Sequence, residues 1–166
     1  MRLSNIFKLI IAVVVSELAG VIGSLFTISA IPTHSAGSGQ AWYAGLVKPA
    51  LNPPSWVFGP VWTTLYFLMG IAAFLVWRMG WERKEVKMAL GVFGIQLFLN
   101  AIWSIIFFGL HSPGWALVDI ALLWLAIVWT MVVFYKISKP AAYLLVPYLL
   151  WVSFASYLNY AIWVLN

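Results

Sequence analysis

The chain has 166 residues, 64% of them hydrophobic and only 8% charged, with a net charge of +5. A soluble domain carries roughly 25% charged residues, so there is too little polar side chain here to coat a water-soluble globule, and the composition specifies an integral membrane protein of one compact domain spanning 1–166. The absence of cysteine excludes disulfides, thiolate metal sites and cysteine nucleophiles, and two histidines, His34 and His111, cannot hold structural zinc alone.

Five apolar segments reach the ~20 residues needed to cross the hydrocarbon core. The chain begins MRLSNIFKLIIAVVV, which looks like a signal peptide, with Arg2 and Lys8 ahead of an apolar run. The run continues to about Ile31 without an A-x-A-like site, so it reads as a retained helix over Asn5–Ile31. Ala12, Ser16, Gly20 and Ser24 recur every fourth position, a pattern that lets backbones approach closely either within the chain or at a dimer seam. Glu17 lies mid-span, where an ionised carboxylate is expensive. It is either a neutral acid bonded to a neighbouring helix or a contact to a ligand or proton.

An outward loop over 32–54 follows. Its end and the next helix read WYAGLVKPALNPPSWVFGPVW, with Pro49, Pro53, Pro54 and Pro60. Proline fixes φ and removes an N–H donor, so this segment loses less entropy on ordering and reads as a stiff lid. Trp42 and Tyr43 supply aromatic area, and Lys48 either supports the turn at Pro49 or attracts an anion.

The second span is Ser55–Trp77, with Trp62, Tyr66, Met69 and Ala73 on one helical face. The charged MGWERKEVK leads to the third, Lys87–Gly109, whose Gln96, Asn100, Trp103 and Phe107 share a face. HSPG offers Ser112 as an N-cap and Pro113 in the first turn of the fourth span, Gly114–Tyr135. KISKP leads to the fifth, Pro140–Leu165, with Pro147, Trp151, Ala155 and Leu158 on one face. The expected fold is therefore an all-α bundle of five transmembrane helices.

Arg2, Lys8, Arg78, Arg83, Lys84, Lys87, Lys136 and Lys139 fall on one side of these spans and Lys48 alone on the other. The positive-inside rule then places the N-terminus in the cytoplasm and the C-terminus outside. The basic residues flank spans and form no nucleic-acid-binding module. Five spans without an internal repeat argue against an inverted-repeat transporter in one protomer.

There are eleven tryptophans. Interfacial belts account for Trp56, Trp77, Trp81, Trp115 and Trp163 at span ends, but not for Trp62, Trp103, Trp124, Trp129 and Trp151, which lie deeper. An indole offers a broad apolar face and one donor. With Asn100 and Gln96 nearby, the deep indoles form either ordinary bundle core or a pocket for a planar aromatic guest.

Three blocks carry a resemblance to the TspO/MBR family of tryptophan-rich sensory and translocator proteins. They are WYAGLVKPALNPPSWVFGPVWTTLYFLMG, QLFLNAIWSIIFFGLHSPGWALVDI and VPYLLWVSFASYLNYAIWVLN, within a similarity extending from Gly20 onward. The resemblance implies a five-helix bundle, often dimeric, in a bacterial inner membrane. It implies binding of porphyrins such as protoporphyrin IX and haem as ligands, with no obligatory cofactor. Carried over by motif, the pocket comprises Tyr43 from the loop, Trp62, Asn100, Trp103, Trp151 and Ala155. The departure from the family concerns sterols. Some members place a basic residue after L-N-Y in the last helix, where this chain has LNYAIWVLN with Val164 and no basic residue. A formal sterol pattern, VFYKISK, occurs at Val133–Lys139, but such patterns are common by chance, and the departure counts against sterol binding.

The leading functional expectation is a receptor handling tetrapyrroles. Light-dependent porphyrin breakdown, an activity associated with the family, and passive transport are the alternatives. The sequence offers no catalytic base beside a nucleophile, no metal cluster and no phosphate loop.

Overall fold

The computed structural model describes residues 4–30 and 42–166, and side chains from 4–27 and 42–166. The expected first-span end at Ile31, most of the expected lid before Trp42, Arg2 and His34 lie outside the described residues. The elements are α1 (Asn5–Ala30), α2 (Trp42–Gly45), α3 (Ser55–Trp77), α4 (Lys84–Ser104), a π-helical turn (Ile105–Gly109), α5 (Pro113–Ile137), α6 (Lys139–Tyr143) and α7 (Val146–Leu165). Five helical segments are long and apolar enough to cross a membrane: Asn5–Thr27, Ser55–Trp77, Lys84–Gly109, Pro113–Ile137 and Lys139–Leu165. The all-α membrane bundle is thus the fold.

Local chemistry sets the breaks. Gly80, at φ +122°, makes the left-handed turn between α3 and α4 that a side chain would strain. Ser112 occupies the N-cap position of α5 as expected, but its hydroxyl makes no capping bond. Instead its carbonyl accepts from Ala116 N–H at 3.0 Å. The expected fifth helix is interrupted. Ser138 is extended, α6 runs five residues, and the chain turns at Leu144 and Leu145 before α7. Pro140 and Pro147 sit in the first turns of α6 and α7, where a missing N–H costs least.

Around the bundle, α1 packs on α3 and α4, α4 on α5, and α5 on α7, while α3 meets α6. The small-residue stripe of α1 packs within the protomer. Ala12 and Ser16 are buried, and a Cβ built on Gly70 of α3 would lie 2.6 Å from Val13 Cα and 3.1 Å from the Ala12 carbonyl. One turn further along α1, Gly20 faces the Tyr66 ring so closely that a methyl there would overlap it. The opposite face of α1, including Ile10, Val14, Leu18 and Leu25, is exposed and apolar, as a lipid-facing surface requires.

The inward face of α7 differs from the expected one. Tyr148, Val152, Ala155, Leu158, Asn159 and Ile162 are buried, whereas Pro147 is exposed. Ala155 and Leu158 thus face inward as expected, and Trp151 is half-buried because the helical stripe is centred one position beyond it. Among the deep tryptophans, Trp124 and Trp129 turn outward, and Trp124 Nε1 donates to Ser153 Oγ at 2.9 Å.

Gly70→Ala is expected to destabilise the bundle by about 1–3 kcal/mol through overpacking against the α1 backbone, read as a lower thermal midpoint in detergent. Gly91→Ala, where nothing lies within 4 Å, should hold or raise the midpoint because alanine favours helix. Equal effects of the two substitutions would contradict the α1–α3 contact.

Candidate functional site

The cleft is built upward from a polar floor. Tyr66 of α3 donates its hydroxyl to Asn100 Oδ1 of α4. Asn100 Nδ2 donates to the Tyr148 hydroxyl of α7 at 2.9 Å. One amide therefore ties three helices. Asn100 does not line the cleft itself; it sets the Tyr66 ring that does. Gln96, a turn earlier, lies deeper still, with Nε2 3.6 Å from Met69 Sδ and Oε1 buried without a partner among the described residues.

Above this floor the walls are aromatic. Trp62 stacks on Tyr66 with ring centroids 5.7 Å apart, and its ring meets Tyr148 edge-on at 6.3 Å. Trp151 meets Phe58 edge-on at 6.0 Å. These side-chain contacts bridge α3 and α7. Trp103 stacks on Phe107 at 5.2 Å and meets Phe108 edge-on at 5.9 Å. Its Nε1 donates to Asn159 Oδ1 at 3.0 Å, and Asn159 Nδ2 donates to the Pro113 carbonyl at 2.7 Å. The indole is thus held by the start of α5 through a side chain of α7.

The resulting cleft has a volume of about 370 Å³, within the range of small-molecule sites. Of the expected site residues, Tyr43, Trp62, Trp103, Trp151 and Ala155 line it, together with Glu17 and Tyr66. Phe107 stands behind Trp103. Trp42 is stacked on His111 at 4.5 Å and edge-on to Phe107 at 5.6 Å, forming roof structure beside the cleft. Sequence reasoning did not single out Phe58, Ser104 and Phe108 as lining residues. The π-turn explains Phe108: its wider winding buries both Phe107 and Phe108, which an α-helical face count does not place together.

The loop is fastened over this space. The Tyr43 ring is buried, and its hydroxyl donates to Asn52 Oδ1 at 2.9 Å. Burial pushes the Tyr43 phenol above its ordinary pKa, and the bond to Asn52 offsets part of that rise. Lys48 Nζ donates to the carbonyls of Ala44 and Leu46 at 3.3 and 3.2 Å and lies 4.9 Å over the Tyr43 ring. Its observed contacts therefore brace the loop. Asn166 was also missed: its side chain accepts from Val47 N–H at 2.9 Å and donates to the Val47 carbonyl at 3.0 Å. A strand-like pair of bonds thus clasps the loop to the end of α7.

Two polar features stand out against the apolar walls. Glu17 puts a carboxyl group on the α1 side. Trp151 Nε1 is buried without a hydrogen-bond partner among the described residues. Asp119, a second acid inside a span that sequence reasoning passed over, is buried away from the cleft with Oδ2 unpartnered among the described residues.

A family model described as TspO/MBR family matches residues 12–164. The chain is 56% identical over 125 residues to the tryptophan-rich protein TspO of Chlorobaculum tepidum, covering 75% of this chain and 79% of that protein. It is 46% identical over 163 residues to the tryptophan-rich protein TspO of Archaeoglobus fulgidus, covering 98% and 99%. It is 48% identical over 128 residues to the translocator protein of Homo sapiens, covering 76% of each.

Tyr66→Phe should cost about 1–2 kcal/mol, since it strips Asn100 Oδ1 of its donor, measured as a lower unfolding midpoint in detergent. Asn166→Ala should speed amide exchange in the peptide containing Val47 about fivefold, the equivalent of one lost hydrogen bond, while exchange in α3 stays unchanged. Unaltered exchange at Val47 would show that the clasp does not hold the loop in solution.

Proposed function

The chain belongs to the TspO/MBR family of membrane receptor and translocator-type proteins, and from that premise we propose that its cleft binds a flat tetrapyrrole such as protoporphyrin IX or haem for tetrapyrrole handling or stress sensing. The observation that carries this reading is the convergence of Trp62, Trp103 and Trp151, from three different helices, on one cleft with Tyr66 and the loop residue Tyr43. An apolar disc is matched by ring faces and edges.

Electrostatics orient the guest. Lys48 supplies positive charge on the loop side, and the propionates point toward it. By analogy with base stacking, each aromatic contact is worth about 1–3 kcal/mol. Two or three such contacts support roughly micromolar affinity once ordering costs are met.

The oxidisable indoles in the walls favour a second reading, light-dependent oxidative breakdown of the bound porphyrin with dioxygen as oxidant. Illuminated protein should then yield more than one product molecule per chain. Bleaching no faster than free porphyrin in detergent would remove this reading and leave binding intact.

Protoporphyrin titration should quench tryptophan fluorescence with a saturable midpoint. Trp62→Phe combined with Trp151→Phe should weaken that midpoint at least tenfold, scored by quenching of the remaining indoles. An unchanged midpoint would reject the cleft as the binding site.

A further inference from the structure

A second recess lies away from the aromatic cleft and shares no residue with it. It has a volume of about 320 Å³ and sits between the last two turns of α5 and the α6–α7 turn. Met131, Val132 and Tyr135 form one wall, and Ala142, Tyr143 and Val146 the other. These walls are hydrocarbon and ring. The lining residues that carry polar groups are Lys136, Tyr135 and Tyr143. The two tyrosine rings meet edge-on at 6.2 Å, and Lys139 Nζ lies 5.5 Å over the Tyr135 ring.

The recess lies where one span ends at Ile137 and the next begins at Lys139, so it sits at the boundary between hydrocarbon and water. Lys136 and Lys139 flank the extended Ser138, and both are exposed. Among the described residues the ion pair is Arg83–Glu85, so neither of these lysines is matched by a carboxylate. Tyrosine and lysine at a span end are interfacial residues, and here they border an open recess with apolar walls.

We propose that this recess is a binding site for one anionic glycerophospholipid, an acyl chain lying between α5 and α6–α7 and the headgroup phosphate meeting Lys136 and Lys139. Charge complementarity selects the anionic headgroup, and the apolar walls select a lipid over a free phosphate. Val133 of the formal sterol pattern is buried in the core, while Val132, Tyr135 and Lys136 line the recess. What weighs against a sterol is that it lacks the phosphate that two neighbouring ammonium groups would hold.

Native mass spectrometry of the full chain released from mixed micelles tests this, with phosphatidylglycerol and phosphatidylcholine of equal chain length as probes. The wild-type chain should retain one phosphatidylglycerol about tenfold more often than phosphatidylcholine, as expected for two lysines at a charged headgroup. Lys136→Gln with Lys139→Gln should remove that preference. Lys84→Gln with Lys87→Gln, the same loss of charge elsewhere, should keep it. Val132→Trp, an exposed position whose enlarged ring would fill the recess, should lower retention of the anionic lipid. Unfolding midpoints would verify that each variant is folded. Equal retention of the two lipids by the wild type, an equal loss in both lysine pairs, or a Val132→Trp variant that retains phosphatidylglycerol normally would each overturn the proposal. So would displacement of the lipid by inorganic phosphate or by cholesterol at matched concentration.

Discussion

The bond chain from Tyr66 through Asn100 to Tyr148 is the constraint on which the rest of the bundle depends. Hydrocarbon offers a buried polar group no water, so its partner must come from the protein. Asn100 meets that demand by joining α3, α4 and α7 at one depth. Each interhelical bond of this kind is worth only about 0.6–1.7 kcal/mol in a membrane protein, yet its geometric effect is large. Alongside the ring contacts, it spaces α3 and α7 while leaving room above the floor. If the same position were leucine, the two tyrosine hydroxyls would be left to find other partners, and the rings they orient would be free to collapse into the space.

That floor also explains how the polar and apolar parts of the site divide their work. The amides and hydroxyls beneath and behind the cleft mostly satisfy one another, so they fix ring positions and present little polarity to a guest. Asn159 plays this part for Trp103, and Asn100 for Tyr66. What the lining adds is sparse, chiefly a carboxyl group on α1. A cavity so lined discriminates by shape and ring overlap, with polar groups limiting the orientation of whatever enters.

Much of this was legible in the chain because bilayer thickness imposes a length on apolar runs. Ser55–Trp77 is read directly from its sequence, and the other spans differ from expectation mainly by a few residues at their ends. Helical spacing also brings Trp62 and Tyr66 together, and Trp103 into the same wall. It goes astray where the backbone leaves the ideal α-helix. Within α7 the buried stripe is centred one position beyond Trp151, so Pro147 turns outward and Tyr148 inward while Ala155 and Leu158 stay buried. The face of α4 is correct as far as Trp103, but the amides on it are read as lining when they lie one layer behind. Spacing along one helix reports direction, and depth depends on the ring that a neighbouring helix places in front. Asn166 and Asn52 were invisible for a different reason. Each acts on backbone or hydroxyl groups of a loop whose course no periodicity describes.

The winding at Ile105–Gly109 has a consequence beyond its own five residues. A π turn accommodates one residue more than the α-helical path requires, and one residue corresponds to about 100° of rotation about the axis. The surplus works as a phase shifter set into the end of α4. It swings Phe108 toward the cavity and rotates the following corner so that His111, at φ +52°, lies flat under Trp42. The lid's stacking partner is thereby aimed by a backbone register several residues upstream, and the bundle's outer corner is indexed to its interior by a miscount of one.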